Sequence, residues 1–332
     1  MRGQQIVFTD KDKIELQDCE WNDRELGGHE LLIETEASFI SAGTELAILK
    51  AATPKVYKKG SWNAYPWKAG YASVGTIRAI GKEVSGLEIG TRVFTHGTHS
   101  TAYIAKDREL ILPVPDGMDA SVAAASRLAS ISATALQVCD IPTNGWVAIF
   151  GLGAIGIFAA QAFQIMGCRV IGIDPAENRR KLAESCGVRH TVHGTNEEIT
   201  AQIKGITNGG MCEVSVDAVG HSAVIQQAMK ATANCGQVIL LGTPRTPHEG
   251  NMTDLLADIH FRWLSVRGAL NFTDTQKLKE IQLTTFDWLQ SGRLQIEPFI
   301  SHRLKPEQVN QAYDGLLHRT EEYTGVSFIW KE

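Results

Sequence analysis

The run Trp146-Val147-Ala148-Ile149-Phe150 leads straight into Gly151-Leu152-Gly153-Ala154-Ile155-Gly156, and no charged side chain occurs from Trp146 to Cys168. A charge-free stretch of that length can be read as a membrane span. Gln161 and Gln164 interrupt it, and its glycines fit another element. Five consecutive apolar residues suit a strand buried on both faces, and Ala154 to Met166 reads as a helix. A G-x-G-x-x-G turn between the two has defined tasks. Gly151 permits the tight turn, Gly153 lets backbone approach a pyrophosphate, and Gly156 lets the helix pack closely on the strand. The helix N-terminus then offers N–H groups and partial positive charge to the phosphates. The next apolar run ends at Asp174, about 20 residues on, where a carboxylate can accept both hydroxyls of an adenosine ribose. A dinucleotide site is therefore expected at Gly151, Leu152, Gly153, Ala154, Ile155, Gly156 and Asp174. The carboxylate repels a 2′-phosphate, so NAD is favoured over NADP. Arg179 and Arg180 are the counter-argument, because either could reach a phosphate or simply lie on a solvated helix face.

Strand and helix alternate on both sides of this motif. Arg169–Ile173, Arg189–Val192, Glu213–Asp217 and Gln237–Leu241 read as strands. Glu177–Ser185, Glu197–Thr207 and Ala223–Thr232 read as the helices between them. Strict alternation predicts a doubly wound parallel sheet of the Rossmann type. Residues 1 to 118 read differently. Leu31–Ala37, Ser73–Ile80 and Thr91–Thr95 are strand-like, with Gly27, Gly28, Gly70, Gly75, Gly81, Gly86 and Gly90 as punctuation. That spacing suits a small irregular barrel. The extended Leu110–Gly117, marked by Pro113 and Pro115, separates it from the Ala- and Ser-rich helix Ala120–Val138. We therefore divide the chain into a β-rich domain (1–118), a dinucleotide-binding domain (119–269) and a C-terminal segment (270–332) that returns to the first domain.

Composition narrows the function classes. With 32 Lys and Arg against 37 Asp and Glu, the net charge of −5 gives no general attraction for nucleic acid or anionic membranes. Cys19, Cys139, Cys168, Cys186, Cys212 and Cys235 are scattered and form no C-x-x-C pair. They read as reduced thiols of a cytoplasmic protein. Met1 to Gln5 leads into a β-like run rather than an apolar signal core.

These motifs resemble the medium-chain dehydrogenase/reductase superfamily over nearly the whole chain. Gly43-Thr44-Glu45 resembles its G-[ST]-[DE] segment, Gly70-Tyr71-Ala72-Ser73-Val74-Gly75 stands where it carries G-H-E-x-x-G, and Gly90-Thr91-Arg92-Val93 resembles its G-D-R-V. The resemblance implies a GroES-like catalytic domain beside the Rossmann domain, and a homodimer. It also implies a cofactor pocket flanked by Val219 and Gly220, by Leu241, Gly242 and Thr243, and by Gly268, Ala269 and Leu270. The departures point to a zinc-free member. Tyr71 and Ala72 replace the zinc-binding His and its Glu, and no Cys, His, Asp or Glu occurs between Ala120 and Val138. A zinc site needs three or four N, S or O ligands, so no metal is expected. Within the superfamily the segments around Ser41–Glu45, Tyr65-Pro66 and Gly90–Phe94 look most like the zinc-lacking branch of the bacteriochlorophyllide 3-hydroxyethyl dehydrogenases, which oxidise a secondary alcohol with NAD.

Without a metal, side chains must move the hydroxyl proton and steady charge on oxygen. Thr44 stands where the zinc enzymes begin their proton relay, or is a cap hydroxyl. Tyr71 is a candidate donor to the substrate oxygen, or fills an emptied metal site. Glu45 matches an acidic residue near the nicotinamide ribose, or anchors a loop. Lys68 is a further donor, and His96 a cleft residue; His96 and His99 form only a weak H-x-x-H metal pair. Trp62, Tyr65 and Trp67 are an aromatic wall or barrel packing. The expected activity is zinc-independent hydride transfer between NAD(H) and a small-molecule secondary alcohol or ketone, with no nucleic-acid or membrane partner. The alternatives are NADPH-dependent enone or quinone reduction and a non-catalytic cofactor-binding protein.

Overall fold

In a computed structural model, which describes residues 1–22, 26–247, 249–271 and 275–331, the chain divides into two compact units. One comprises residues 1–127, 274–290 and 299–332; the other comprises 128–273 and 291–298.

The first unit opens with the antiparallel hairpin of β1 (Arg2–Asp10) and β2 (Lys13–Glu20), to which the short β4 (Trp67–Lys68) adds across β1. Its larger sheet is built on β3 (Glu30–Phe39), a ten-residue strand with mostly apolar inward positions. Antiparallel to β3 run β5 (Ser73–Ile80) on one side and β7 (Ala102–Lys106) on the other. The sheet extends from β5 through β6 (Arg92–Thr95) to β8 (Ile111–Pro113). The far end of β3 pairs with β16 (Val326–Ile329), which in turn carries β15 (His302–Leu304). Near the start and end of the chain, Phe8, Trp67, Tyr313 and Phe328 meet in one core. Two helices join that core: α1 (Ala42–Leu49), not expected from the sequence, and α9 (Val309–His318).

The second unit is a six-stranded parallel sheet. Its strands are β9 (Trp146–Phe150), β10 (Arg169–Ile173), β11 (His190–Val192), β12 (Cys212–Asp217), β13 (Thr232–Leu240) and β14 (Ser265–Gly268). Their order is β11-β10-β9-β12-β13-β14. Taken in chain order this is the 3-2-1-4-5-6 arrangement of the Rossmann fold, whose ligands lie beyond the carboxyl ends of the strands. All five residues of β9 are buried, as a strand covered on both faces requires. The crossovers are α3 (Ala154–Ile165), α4 (Glu177–Ser185), α5 (Asn196–Ile206), α6 (Ser222–Ala231) and α7 (Met252–Arg262). A reciprocal cap starts α5: Thr195 accepts from the Glu198 amide while Glu198 reaches back to the Thr195 amide. The charge-free stretch is thus a central strand and its helix. Among the described residues no helix is long and apolar enough to cross a membrane. The remaining helices are α2 (Ala120–Gln137) and α8 (Thr275–Gln290).

Candidate active site

The glycine turn has the form a phosphate needs. Gly151 adopts φ +89°, a left-handed conformation that favours glycine, and its amide donates to Ile173 O at 2.8 Å. At Gly156 a Cβ would fall 1.7 Å from Gly151 O, so only glycine lets α3 pack here. Gly153 is the reverse case. A Cβ there would meet no protein atom within 4 Å, and α3 begins at Gly153 with no side-chain cap. Space and uncapped helix N–H groups therefore coincide where a pyrophosphate would sit. Leu152 is fully buried and anchors the turn, while Ala154 and Ile155 open α3 and are partly exposed.

Asp174 stands at the end of β10 and is only 2 % exposed. Its carboxylate accepts from the Leu152 amide at 2.8 Å and from the Ala176 amide at 2.9 Å. It thus clamps the glycine turn to the next strand, with two of its roughly four acceptor positions used. Arg179 Nη1 lies 3.7 Å away. Arg180 is committed elsewhere, donating to the carbonyls of Asp174 and Pro175.

At the end of β12, on the other side of β9 from β10, the fully buried Asp217 accepts from the amides of Val219 and Gly220 at 3.0 and 3.1 Å. Burial raises its carboxyl above the usual range, against the pull of those two N–H bonds. The Val219-Gly220 turn lies directly against Leu241-Gly242-Thr243: a Cβ on Gly242 would stand 2.4 Å from the Gly220 amide nitrogen. Val219 is exposed and Leu241 buried. Gly268 ends β14, followed by buried Ala269 and by Leu270, which is 72 % exposed. An apolar side chain so open to solvent at a strand end suits contact with a ligand ring.

The first unit gathers the hydroxyl groups. Tyr71 directly follows the Gly70 turn, and its phenol donates to Ser41 Oγ. Thr44 is also hydrogen-bonded to it. Ser41 is the N-cap of α1, so Ser41 and Thr44 sit in the first turn of one helix, both turned to the same phenol. Burial raises the Tyr71 pKa; the bonds from Ser41 and Thr44 oppose that, Glu45 reinforces it, and Arg127 opposes it. Arg127, on α2, is 8 % exposed, and burial brings its guanidinium down to about 10. The same burial, with the Arg127 charge, pushes His96 down to about 3, so the imidazole stays neutral. Its Nε2 is buried with no hydrogen-bond partner. Arg127 and Ser41 were not foreseen. Arg127 had a legible signal, being the sole charge between Asp119 and Asp140.

Glu45 adjoins this cluster through Ser41, whereas Lys68 and His99 lie outside it. Glu45 is fully buried, which favours an anchoring role over an acid facing a ribose. Its carboxylate accepts from the Ser41 amide and Tyr313 and contacts His99. Lys68 is exposed on β4, where its charge reaches Cys19. His99 uses both ring nitrogens within the core, on Ser38 and Glu45, so it is no metal partner for His96. Among the described residues no three His, Cys, Asp or Glu side chains come together as a metal site. Of the three aromatics, the exposed Trp62 packs edge-on against the core Trp67 at 6.3 Å between centroids, while Tyr65 donates to Ile48 O and packs edge-on against Tyr57.

Residues 154–285 match the family model described as zinc-binding dehydrogenase. L-threonine 3-dehydrogenase of Bacillus licheniformis is 32% identical over 169 residues, an alignment covering 51% of this chain and 47% of that protein, about half its length. An uncharacterized zinc-type alcohol dehydrogenase-like protein of Haemophilus influenzae is 24% identical over 92% of this chain and 93% of its own. The chain is thus similar to zinc-type dehydrogenases over residues 154–285 and, at lower identity, over nearly its whole length. A protein from Sinorhizobium meliloti described as a zinc-binding dehydrogenase, solved with NADP, aligns over 99% of both chains with a TM-score of 0.80 at 18% identity. The two chains share a fold, in which this one has a Rossmann-type sheet and a β-rich unit.

Proposed function

We propose that this chain is a medium-chain dehydrogenase/reductase that transfers a hydride between NAD(H) and a secondary alcohol or ketone without zinc. The observation that carries the reading is the Tyr71 phenol, resting on Ser41 and Thr44 beside the buried Arg127 cation, where a catalytic metal would otherwise supply charge. Gly151 to Gly156 and Asp174 would hold the dinucleotide, with Val219, Leu241 to Thr243 and Gly268 to Leu270 beside its ribose and nicotinamide. When bound, the nicotinamide gives or takes the hydride at carbon. The chain's own residues handle the proton. In reduction the Tyr71 phenol, kept protonated by burial, gives its proton to the carbonyl oxygen, and in oxidation the phenolate takes the hydroxyl proton back. Arg127 offsets the negative charge in either direction. His96, held neutral, offers an unpaired buried nitrogen to a substrate hydroxyl.

Asp174 favours NAD, because a 2′-phosphate would meet a buried carboxylate. A second reading, NADPH-dependent enone or quinone reduction, draws on Arg179, whose guanidinium stands beside Asp174 and is partly exposed. Tryptophan quenching with NADH and NADPH, followed by turnover of secondary alcohols, ketones and enones by zinc-free protein, separates the two. Tighter NADH binding with alcohol or ketone turnover supports the proposal. Tighter NADPH binding with enone turnover replaces it, zinc-dependent activity overturns it, and cofactor binding with no turnover would leave a binding protein.

A further inference from the structure

Beneath the Tyr71 cluster lies a chain of polar groups that the proposed reaction does not itself use. Glu45 is fully buried, and three donors from different elements converge on it. The Ser41 amide donates to Oε1 at 2.7 Å, the Tyr313 hydroxyl donates to Oε2 at 2.5 Å, and His99 Nε2 lies 3.1 Å from Oε2. His99 Nδ1 is 2.7 Å from Ser38 Oγ, which also accepts from the Trp330 indole N–H at 2.8 Å. The imidazole packs edge-on against Phe328 at 5.3 Å between centroids. It stands so close to Gly70 that a Cβ there would meet the ring at 2.8 Å. The network therefore grips the chain on both sides of the phenol: Gly70 next to Tyr71, and Ser41, which holds its hydroxyl.

A buried carboxylate costs several kcal/mol unless it is fully paired. Capping α1 alone would need only the bond to the Ser41 amide, which a neutral or exposed side chain could make. Tyr313 comes from α9 and His99 from the segment after β6, and both bond the carboxylate oxygen that the Ser41 amide does not use at its 2.7 Å bond. We infer that Glu45, fixed by His99 and Tyr313, is a positioning residue that holds Ser41 and thereby orients the Tyr71 phenol toward substrate. This rests on the proposed role of Tyr71. The charged groups facing the phenol are Glu45 from α1 and Arg127 from α2, which act on it in opposite directions.

The test uses the full-length protein with Glu45→Gln and Tyr313→Phe, each alone and combined with Tyr71→Phe. Ultraviolet titration of the phenol, read as the difference from Tyr71→Phe, needs no activity. Removing the Glu45 charge should move the Tyr71 titration down. Removing the Tyr313 donor leaves the carboxylate less neutralised and should move it up. A merely structural role would shift both variants the same way or neither, and that result overturns the inference. In turnover, each single variant should lower kcat by roughly 10- to 100-fold with little change in KM, and neither should lower it further in the Tyr71→Phe background. Independent, additive losses overturn the inference even if the protein is active. If Glu45→Gln fails to fold, Tyr313→Phe decides on the same two readouts. Should the wild type turn over nothing, the proposed function fails while opposite titration shifts would still uphold the positioning network.

Discussion

Gly156 faces the carbonyl of Gly151 with no room for another atom, since a Cβ on it would lie 1.7 Å from that oxygen. Gly153, three residues earlier, faces open space within the same turn. The two glycines are therefore used differently: the protein's own backbone fills the space beside Gly156 and leaves that beside Gly153 open.

Alanine at each position should separate those tasks. Gly156→Ala should destabilise the protein by about 1–3 kcal/mol through overpacking and weaken NADH binding as the turn is displaced. Gly153→Ala should leave the melting temperature unchanged yet weaken NADH binding, because its methyl enters the phosphate space. Thermal melts paired with fluorescence titrations check both.

Asp174 links stability to cofactor choice. In Asp174→Asn one carboxamide oxygen replaces two acceptors, so either the Leu152 or the Ala176 amide loses its partner. A loss of about 1–3 kcal/mol is expected, measurable by urea denaturation. The ratio of NADPH to NADH affinity should rise at the same time, because the repelling charge is gone. An unchanged ratio would show that the carboxylate is only a clamp.

His96 should make the folded state sensitive to acid. Its folded pKa is about 3, below its ordinary value near 6.5, so the unfolded chain binds more protons between those values. Stability is then full above about pH 6.5 and falls as pH drops toward 3, by at most about 1.4 kcal/mol per unit. His96→Gln should flatten that limb in denaturation curves taken from neutral to acid pH. Equal slopes for both proteins would remove His96 as the cause.

Tyr71→Phe keeps the ring and removes the phenol. Turnover should fall by roughly 10²- to 10⁴-fold, the range for a lost acid–base group, with NADH affinity retained. Thr44→Val removes one of the two hydroxyls held to the phenol and should cost less. Steady-state kinetics beside cofactor titration checks both, and a larger loss for Thr44→Val would move the proton transfer to that residue.

The Rossmann part was readable because its signals are local. β9, β10 and the apolar end of β13 are short apolar runs set off by turns, and α4 and α5 carry their own polar faces. Bounds shifted by a residue at β11, but β13 begins five residues before the expected Gln237, because its first half, Thr232 to Gly236, is polar or small. The first unit was less legible. In β2 the alternation is faint, with five of its eight residues exposed and none buried. The eight-residue α1 hides behind Gly43 and Thr44, since what starts it is the Ser41 cap and the Glu45 carboxylate. That carboxylate is buried by Tyr313, which lies 268 residues away. No spacing in the sequence records such a contact, so Glu45 looked like a ligand-facing acid. Arg127 is hidden for a different reason: a lone cation in an Ala- and Ser-rich helix carries no metal-ligand pattern, and only its burial in the fold sets it apart.

The pairing of β16 with β3 places strict limits on the order of events during synthesis. The ribosome makes β3 first, then the entire six-stranded unit, and only afterwards the strand that completes the β-rich sheet and the Trp330 and Tyr313 groups locked into it. β3 must therefore wait, with part of its edge open, until residues 326–329 have emerged. That makes it the part of the nascent chain most dependent on protection from aggregation.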